Sequence, residues 1–129
     1  MLNIASLNCH SVRKNAEIVK DLLSVCDIVL LQELMLPESE VNFLGYLDDD
    51  FRFSASLKDN VKDGIISGRP TNGVAILWHK KIDELIKTVK VDERINYIIL
   101  SDNERKLLII NIYIPCDNRD LELAHMLQY

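Results

Sequence analysis

Asn8, Glu33 and Tyr113 are the residues of this 129-residue chain whose types and settings most invite chemistry. Each belongs to an apolar run of β type that ends in polar groups. The runs are Ser6-Leu7-Asn8, Asp27-Ile28-Val29-Leu30-Leu31-Gln32-Glu33 and Asn111-Ile112-Tyr113-Ile114-Pro115. Sheets flanked by helices open their binding crevices at strand ends. A neutral amide oxygen and a carboxylate on neighbouring strand ends could take a hard divalent cation such as Mg²⁺. A carboxylate directly after Ile28–Gln32 cannot be buried alone, because desolvating a charge costs several kcal/mol. Glu33 therefore reaches water or holds a cation, and the exposed state is the commoner one for Glu.

The other candidates divide in the same way. Tyr113 could present its phenol to a substrate oxygen, although a Tyr in an apolar strand commonly packs in the core. Arg94 either anchors a phosphate or pairs at the surface with Asp92 or Glu93. Asn111 interrupts an apolar strand and so is expected to bond to backbone or side-chain partners. His10, His79 and His125 have no His or Cys neighbour at zinc-ligand spacing. No glycine-rich phosphate loop, Ser-His-Asp order or HExxH motif occurs.

The elements that must hold these groups read as a mixed α/β arrangement. Leu2–Asn8 is a strand. Ser11 caps a helix running to about Val25, with Val12, Ala16, Val19, Leu22 and Leu23 at helical spacing. Ile28–Leu31 is apolar without a break, which predicts burial on both faces. This order makes a βαβ-like unit. Glu38–Leu47 reads as a short helix, and Asp48-Asp49-Asp50 as a turn. Phe51–Leu57 alternates as a half-exposed strand. Lys58–Asn72 is the longest polar loop, and Asn72-Gly73 turns into a strand at Val74–Trp78. Lys80–Lys90 fits either a helix or an irregular connection. Arg94–Leu100 and Lys106–Ile114 form a hairpin about Ser101–Glu104, and Asp120–Tyr129 has a helical pattern.

Composition bounds the rest. A chain of this length forms one domain, and 48% hydrophobic with 27% charged residues is ordinary for a globular protein. The net charge of −5 is acidic for a nucleic-acid binder, although a metal site accounts for some carboxylates. Basic residues Lys58, Lys62, Arg69, Lys80 and Lys81 are scattered, and a solvated surface is their default role. Cys9, Cys26 and Cys116 are odd in number and lack CxxC spacing, which points to free thiols in a reducing, intracellular compartment, nucleus or cytoplasm. No secretory leader or membrane-spanning run is present.

Taken together, the motifs resemble the endonuclease/exonuclease/phosphatase superfamily, which includes deoxyribonuclease I. The match rests on Asn8, on the Asp27…Gln32-Glu33 block and on Asn111-Ile112-Tyr113-Ile114-Pro115. The segment Gly68-Arg69-Pro70-Thr71-Asn72-Gly73-Val74-Ala75-Ile76-Leu77-Trp78 looks like that of LINE-type retrotransposon endonucleases. The resemblance implies the N-terminal half of a four-layer α/β sandwich with mixed β-sheet, so that residues 1–129 form one partial domain. It implies Asn8 and Glu33 as ligands of Mg²⁺ (Mn²⁺ as a substitute) and Glu33 and Tyr113 as catalytic groups. Arg94 and His10 would support substrate binding, with His10 also bordering the metal. DNA is the family's substrate. Cys116 stands where apurinic-type members tend to carry Asn, which speaks against abasic-site specificity.

The family's Gly-Asp-x-Asn and Ser-Asp-His segments are not in this sequence. The expectation is therefore a Mg-dependent endonuclease fragment with little or no activity alone. A non-catalytic interaction module and a phosphoinositide or sphingolipid phosphoesterase are the alternatives. The inner sheet face, with Ile76, Trp78, Ile98, Leu100, Ile110 and Ile112, is expected to lack its cover. It would then bind a second copy or a complementary C-terminal half.

Overall fold

The structure is a computed structural model that describes residues 1–58, 61–62, 65–66 and 72–114. Its first sheet has four strands in the order β1 (Ile4–Asn8), β2 (Ile28–Gln32), β6 (Val74–His79) and β3 (Phe51–Ser56). β1 and β2 run parallel, with Asn8 opposite Gln32, and β6 is antiparallel to both β2 and β3. A second sheet is an antiparallel meander of β7 (Ile86–Asp92), β8 (Ile95–Ser101) and β9 (Lys106–Ile112). β4 (Val61–Lys62) and β5 (Ile65–Ile66) form a separate short pair.

The unbroken apolarity of β2 has the predicted meaning. Val29 and Leu31 enter a core shared with Val12, Val19 and Leu23 on the helical side of the first sheet. Ile28 enters a second core with Ile76, Trp78, Ile98 and Ile109, between the two sheets. Buried hydrophobic area is the main stabilising contribution here, at about 1.5–3 kcal/mol for each fully buried aliphatic side chain.

Three expectations change. The helix α1 is shorter than its apolar spacing suggests, Ala16–Leu23, with Asn15 at its N-cap; Ser11 instead caps the turn before it, its Oγ accepting from Lys14 N at 3.4 Å and its carbonyl from Asn15 N at 3.2 Å. Lys80–Lys90 resolves into a 3-10 helix, Lys80–Leu85, followed by the strand β7. The inner face of the first sheet is covered by this chain's own second sheet. Ile76, Trp78 and Ile98 are buried there, whereas Ile110 and Ile112 are 47% and 51% exposed. Register explains the reversal. Ile109 pairs with Ile98 and Asn111 with Asn96 on the inner face, so the alternate residues Ile110 and Ile112 point outward. The uncovered apolar face is therefore the outer face of β9, with Leu108 beside them.

No helix among the described residues is long and apolar enough to cross a membrane. The helical pattern at Asp120–Tyr129, most of the loop before Asn72, and Pro115, Cys116 and His125 lie outside the described residues.

Candidate active site

The ends of β1 and β2 do not splay apart. Cys9 N donates to Gln32 O, Ser11 N to Glu33 O and Val12 N to Leu34 O, each at 3.0 Å, so the two chains remain joined beyond the sheet. Below them, Leu34 N donates to Gly73 O at 3.1 Å and Met35 N to Asn72 O at 3.2 Å. Asn15 contributes its amide to the loop and not to a helix cap, donating to Cys9 O at 2.7 Å.

This path demands unusual backbone. Among the described residues, the non-glycine residues with positive φ are His10, Ser11, Glu33 and Met35. All four sit at this one corner. The left-handed region costs a non-glycine residue about 1–2 kcal/mol, and such strain gathers at functional sites. At Glu33, with φ 53°, the consequence is specific: the side chain leaves the alternation of β2.

The Glu33 carboxylate, in a residue only 9% exposed, lies between two partners. The Tyr113 hydroxyl donates to Oε1. His10 Nδ1 lies 2.6 Å from Oε2, which is itself buried and makes no hydrogen bond of acceptable geometry. A buried carboxylate oxygen needs a donor or a cation, and an imidazole N–H or a metal ion can fill that place. Asn8 borders the same corner: its Oδ1 accepts from the His10 backbone N at 3.4 Å. His10 thus touches both residues expected to bind metal. Among the described residues, no three His, Cys, Asp or Glu side chains converge on one point.

Arg94 stands apart by its side chain but not by its backbone. Its carbonyl accepts from Tyr113 N at 2.8 Å, its own N donates to Asp92 Oδ1 at 2.8 Å, and its side chain is exposed. The surface pairing with Asp92 therefore runs through the Arg94 main chain.

A layer of polar side chains lies beneath the carboxylate. Gln32 Nε2 donates to Ser6 Oγ at 3.0 Å and to Asn111 Oδ1 at 2.8 Å. Asn111 Nδ2 donates to Leu31 O at 3.0 Å and to Ala75 O at 2.9 Å. The polar interruption at Asn111 predicted such bonding, but no local pattern shows Gln32 as its partner, 79 residues away. Cys9 packs underneath as well, its Sγ donating to Gln32 O at 3.1 Å. Burial pushes its thiol up to about 12, and the nearby Glu33 charge adds to the rise.

No family model matches the sequence, and no curated protein matches it significantly. Solved structures do resemble it. An AP endonuclease from Archaeoglobus fulgidus superposes with a TM-score of 0.61 and 21% identity, over 89% of this chain and 42% of that one. The AP endonuclease LMAP from Leishmania major gives 0.63 and 13% identity, over 96% and 43%. The endonuclease domain of TRAS1, a telomere-specific non-LTR retrotransposon, gives 0.56 and 13% identity, over 99% and 51%. This chain has the deoxyribonuclease I-like fold. Its two sheets face each other across the core of Ile28, Ile76, Trp78, Ile98 and Ile109. The chain spans about half the length of the structures it resembles, or less.

Proposed function

We propose that this chain carries one side of a divalent-metal-dependent phosphodiesterase site that acts on DNA, of the retrotransposon endonuclease type. The observation that carries the reading is the buried Glu33 carboxylate, held between the Tyr113 phenol and the His10 imidazole at the joined ends of β1 and β2. The retrotransposon assignment draws on the Gly68–Trp78 motif and on the likeness to the TRAS1 domain over 99% of the chain.

Glu33 and Asn8 supply the carboxylate and amide oxygens that suit Mg²⁺, with Mn²⁺ able to replace it. Such an ion polarises a phosphate and offsets charge on the leaving oxygen. Tyr113 is half-buried with its hydroxyl in the site; its single proton lies on Glu33 and would turn to a phosphate oxygen when a cation takes the carboxylate. Its backbone is tied to that of Arg94, and the exposed Arg94 side chain is the cation assigned to a neighbouring phosphate in this reading. His10 borders the carboxylate. The acid, amide and His that would prepare the attacking water are not among these residues. Groups that work as one catalytic unit fail together when part of it is missing. In this reading residues 1–129 are the first part of a larger domain, working inside the cell, and alone they bind Mg²⁺ weakly and cleave little. The outer face of β9, and its edge, which pairs with no further strand among the described residues, are where a complementary half or a second copy would join.

Plasmid nicking with Mg²⁺ tests the catalytic part. The expected result is little cleavage by this chain alone. Robust nicking that Glu33→Ala abolishes would show that the chain needs no complement. One observation favours a second reading, a non-catalytic remnant of the same fold: His10 already supplies Glu33 with a partner at 2.6 Å. Calorimetric titration with Mg²⁺ separates the two, since a remnant need not retain the ion.

A further inference from the structure

Apolar packing between two sheets sets their spacing but not their alignment, because burial rewards area and not direction. Here the inter-sheet core of Ile28, Ile76, Trp78, Ile98 and Ile109 is of that kind. The alignment has to come from directional contacts. The Gln32–Asn111 bond is one, at 2.8 Å between two buried amides. Asn111 extends it by donating to the carbonyls of Leu31 and Ala75. These bonds join β9 of one sheet to β2 and β6 of the other.

Their place in the sequence gives them a second consequence. Glu33 follows Gln32 directly, and Tyr113 lies two residues beyond Asn111, on the same side of its chain. A slip of β9 by one residue moves it about 3.4 Å, farther than a hydrogen bond reaches. Tyr113 would then lose Glu33. We propose that Gln32 and Asn111 are positioning residues, whose side-chain pair fixes β9 against β2 and so holds the Tyr113 hydroxyl on the Glu33 carboxylate. The proposal rests on the reading of Glu33 and Tyr113 as site residues, but its test needs neither metal nor cleavage.

Asn96 supplies the control. It is a register partner of Asn111, it is fully buried, and it also crosses between sheets, donating to Ser54 O at 3.0 Å. It bonds to β3, however, and not to the strand that carries Glu33.

The experiment uses the full chain labelled with fluorotyrosine, the Tyr113 resonance being assigned through Tyr113→Phe. Glu33→Gln is expected to move that resonance. In an Asn111→Leu or a Gln32→Met background most of this displacement is lost, and in Asn96→Ala it is retained. Circular dichroism shows which variants fold. Should Asn111→Leu fail to fold, Gln32→Met decides, because it leaves the two carbonyl bonds of Asn111 in place. Full displacement in the folded Asn111→Leu and Gln32→Met variants would overturn the positioning role. So would an equal loss in Asn96→Ala, which would make any cross-sheet bond equivalent. A native chain in which Glu33→Gln leaves the Tyr113 resonance unmoved would overturn the underlying acid–phenol contact instead.

Discussion

Gly73→Ala should destabilise the fold by about 2–4 kcal/mol, a sum of separable contributions. Gly73 has φ +117°, a conformation in which a β-carbon is strained whatever the available space. That strain is worth about 1–2 kcal/mol. The added Cβ would also lie 2.7 Å from Leu57 Cδ2 and 3.2 Å from Leu34 Cβ. Leu57 Cδ2 ends a flexible side chain and can move. Leu34 Cβ cannot, because the Leu34 backbone is bonded both to Gly73 O and to Val12 N. Overpacking of this kind costs about 1–3 kcal/mol, and Ala recovers roughly 0.4–1 kcal/mol by restricting the unfolded chain. Gly45→Ala is the counterpart. Its Cβ would meet only Phe53 Cε1, at an ordinary 3.4 Å, so the change should be neutral or stabilising by up to about 1 kcal/mol. Urea unfolding followed by circular dichroism, with equal slopes for all three proteins, reads the difference. A loss below about 1 kcal/mol for Gly73→Ala would refute the claim that the Leu34 backbone is held rigidly against Gly73.

Other perturbations read other parts of the structure. The Asn3 backbone N–H, and after it Lys81, hold the Asp27 carboxyl below the usual carboxylate range. Its contribution to stability is therefore full above the unfolded pKa of about 4 and is lost as pH falls through the depressed folded value. Asp27→Asn should weaken the native chain at neutral pH and flatten the acid limb of its stability curve; an unchanged limb would contradict the assignment. Cys9, its thiol pushed up to about 12 by burial, should resist iodoacetamide at pH 8 in the folded chain and react once urea unfolds it. Labelling of Cys9 at the rate of the partly exposed Cys26 would show that the β1–β2 corner opens readily. Ile110→Lys, on the exposed face of β9, should lower any self-association seen by sedimentation without lowering the unfolding midpoint, because charges protect free edges. A lower midpoint would place Ile110 in the core.

The parts of the fold that were legible in sequence are those whose burial leaves a local mark. The two-sided burial of Ile28–Leu31, the strand β6 that follows Asn72-Gly73 and the β8–β9 hairpin all follow from short-range patterns, whereas Asn72 and Gly73 themselves bond across to Met35 and Leu34. β7 did not, because Ile86–Asp92 is mostly exposed and owes its conformation to pairing with β8. The inward or outward sense of Ile110 and Ile112 depended on parity across the β8–β9 register, and a one-residue uncertainty reverses it. In the site, the acid after an unbroken apolar run marked Glu33. Its left-handed backbone carries no signature, since Glu is not a residue that favours that region. The Gln32–Asn111 bond joins residues 79 positions apart, so each amide could be seen separately and the pair could not.

Mn²⁺ binding, followed by the loss of its free electron paramagnetic resonance signal, bears most directly on the claim that Asn8 and Glu33 together cradle a divalent cation. The account predicts one weak site in this chain. Glu33→Gln should abolish it, Asn8→Ala should weaken it, and Mg²⁺ should compete for it. An absence of binding, or binding that survives Glu33→Gln undiminished, would contradict the account.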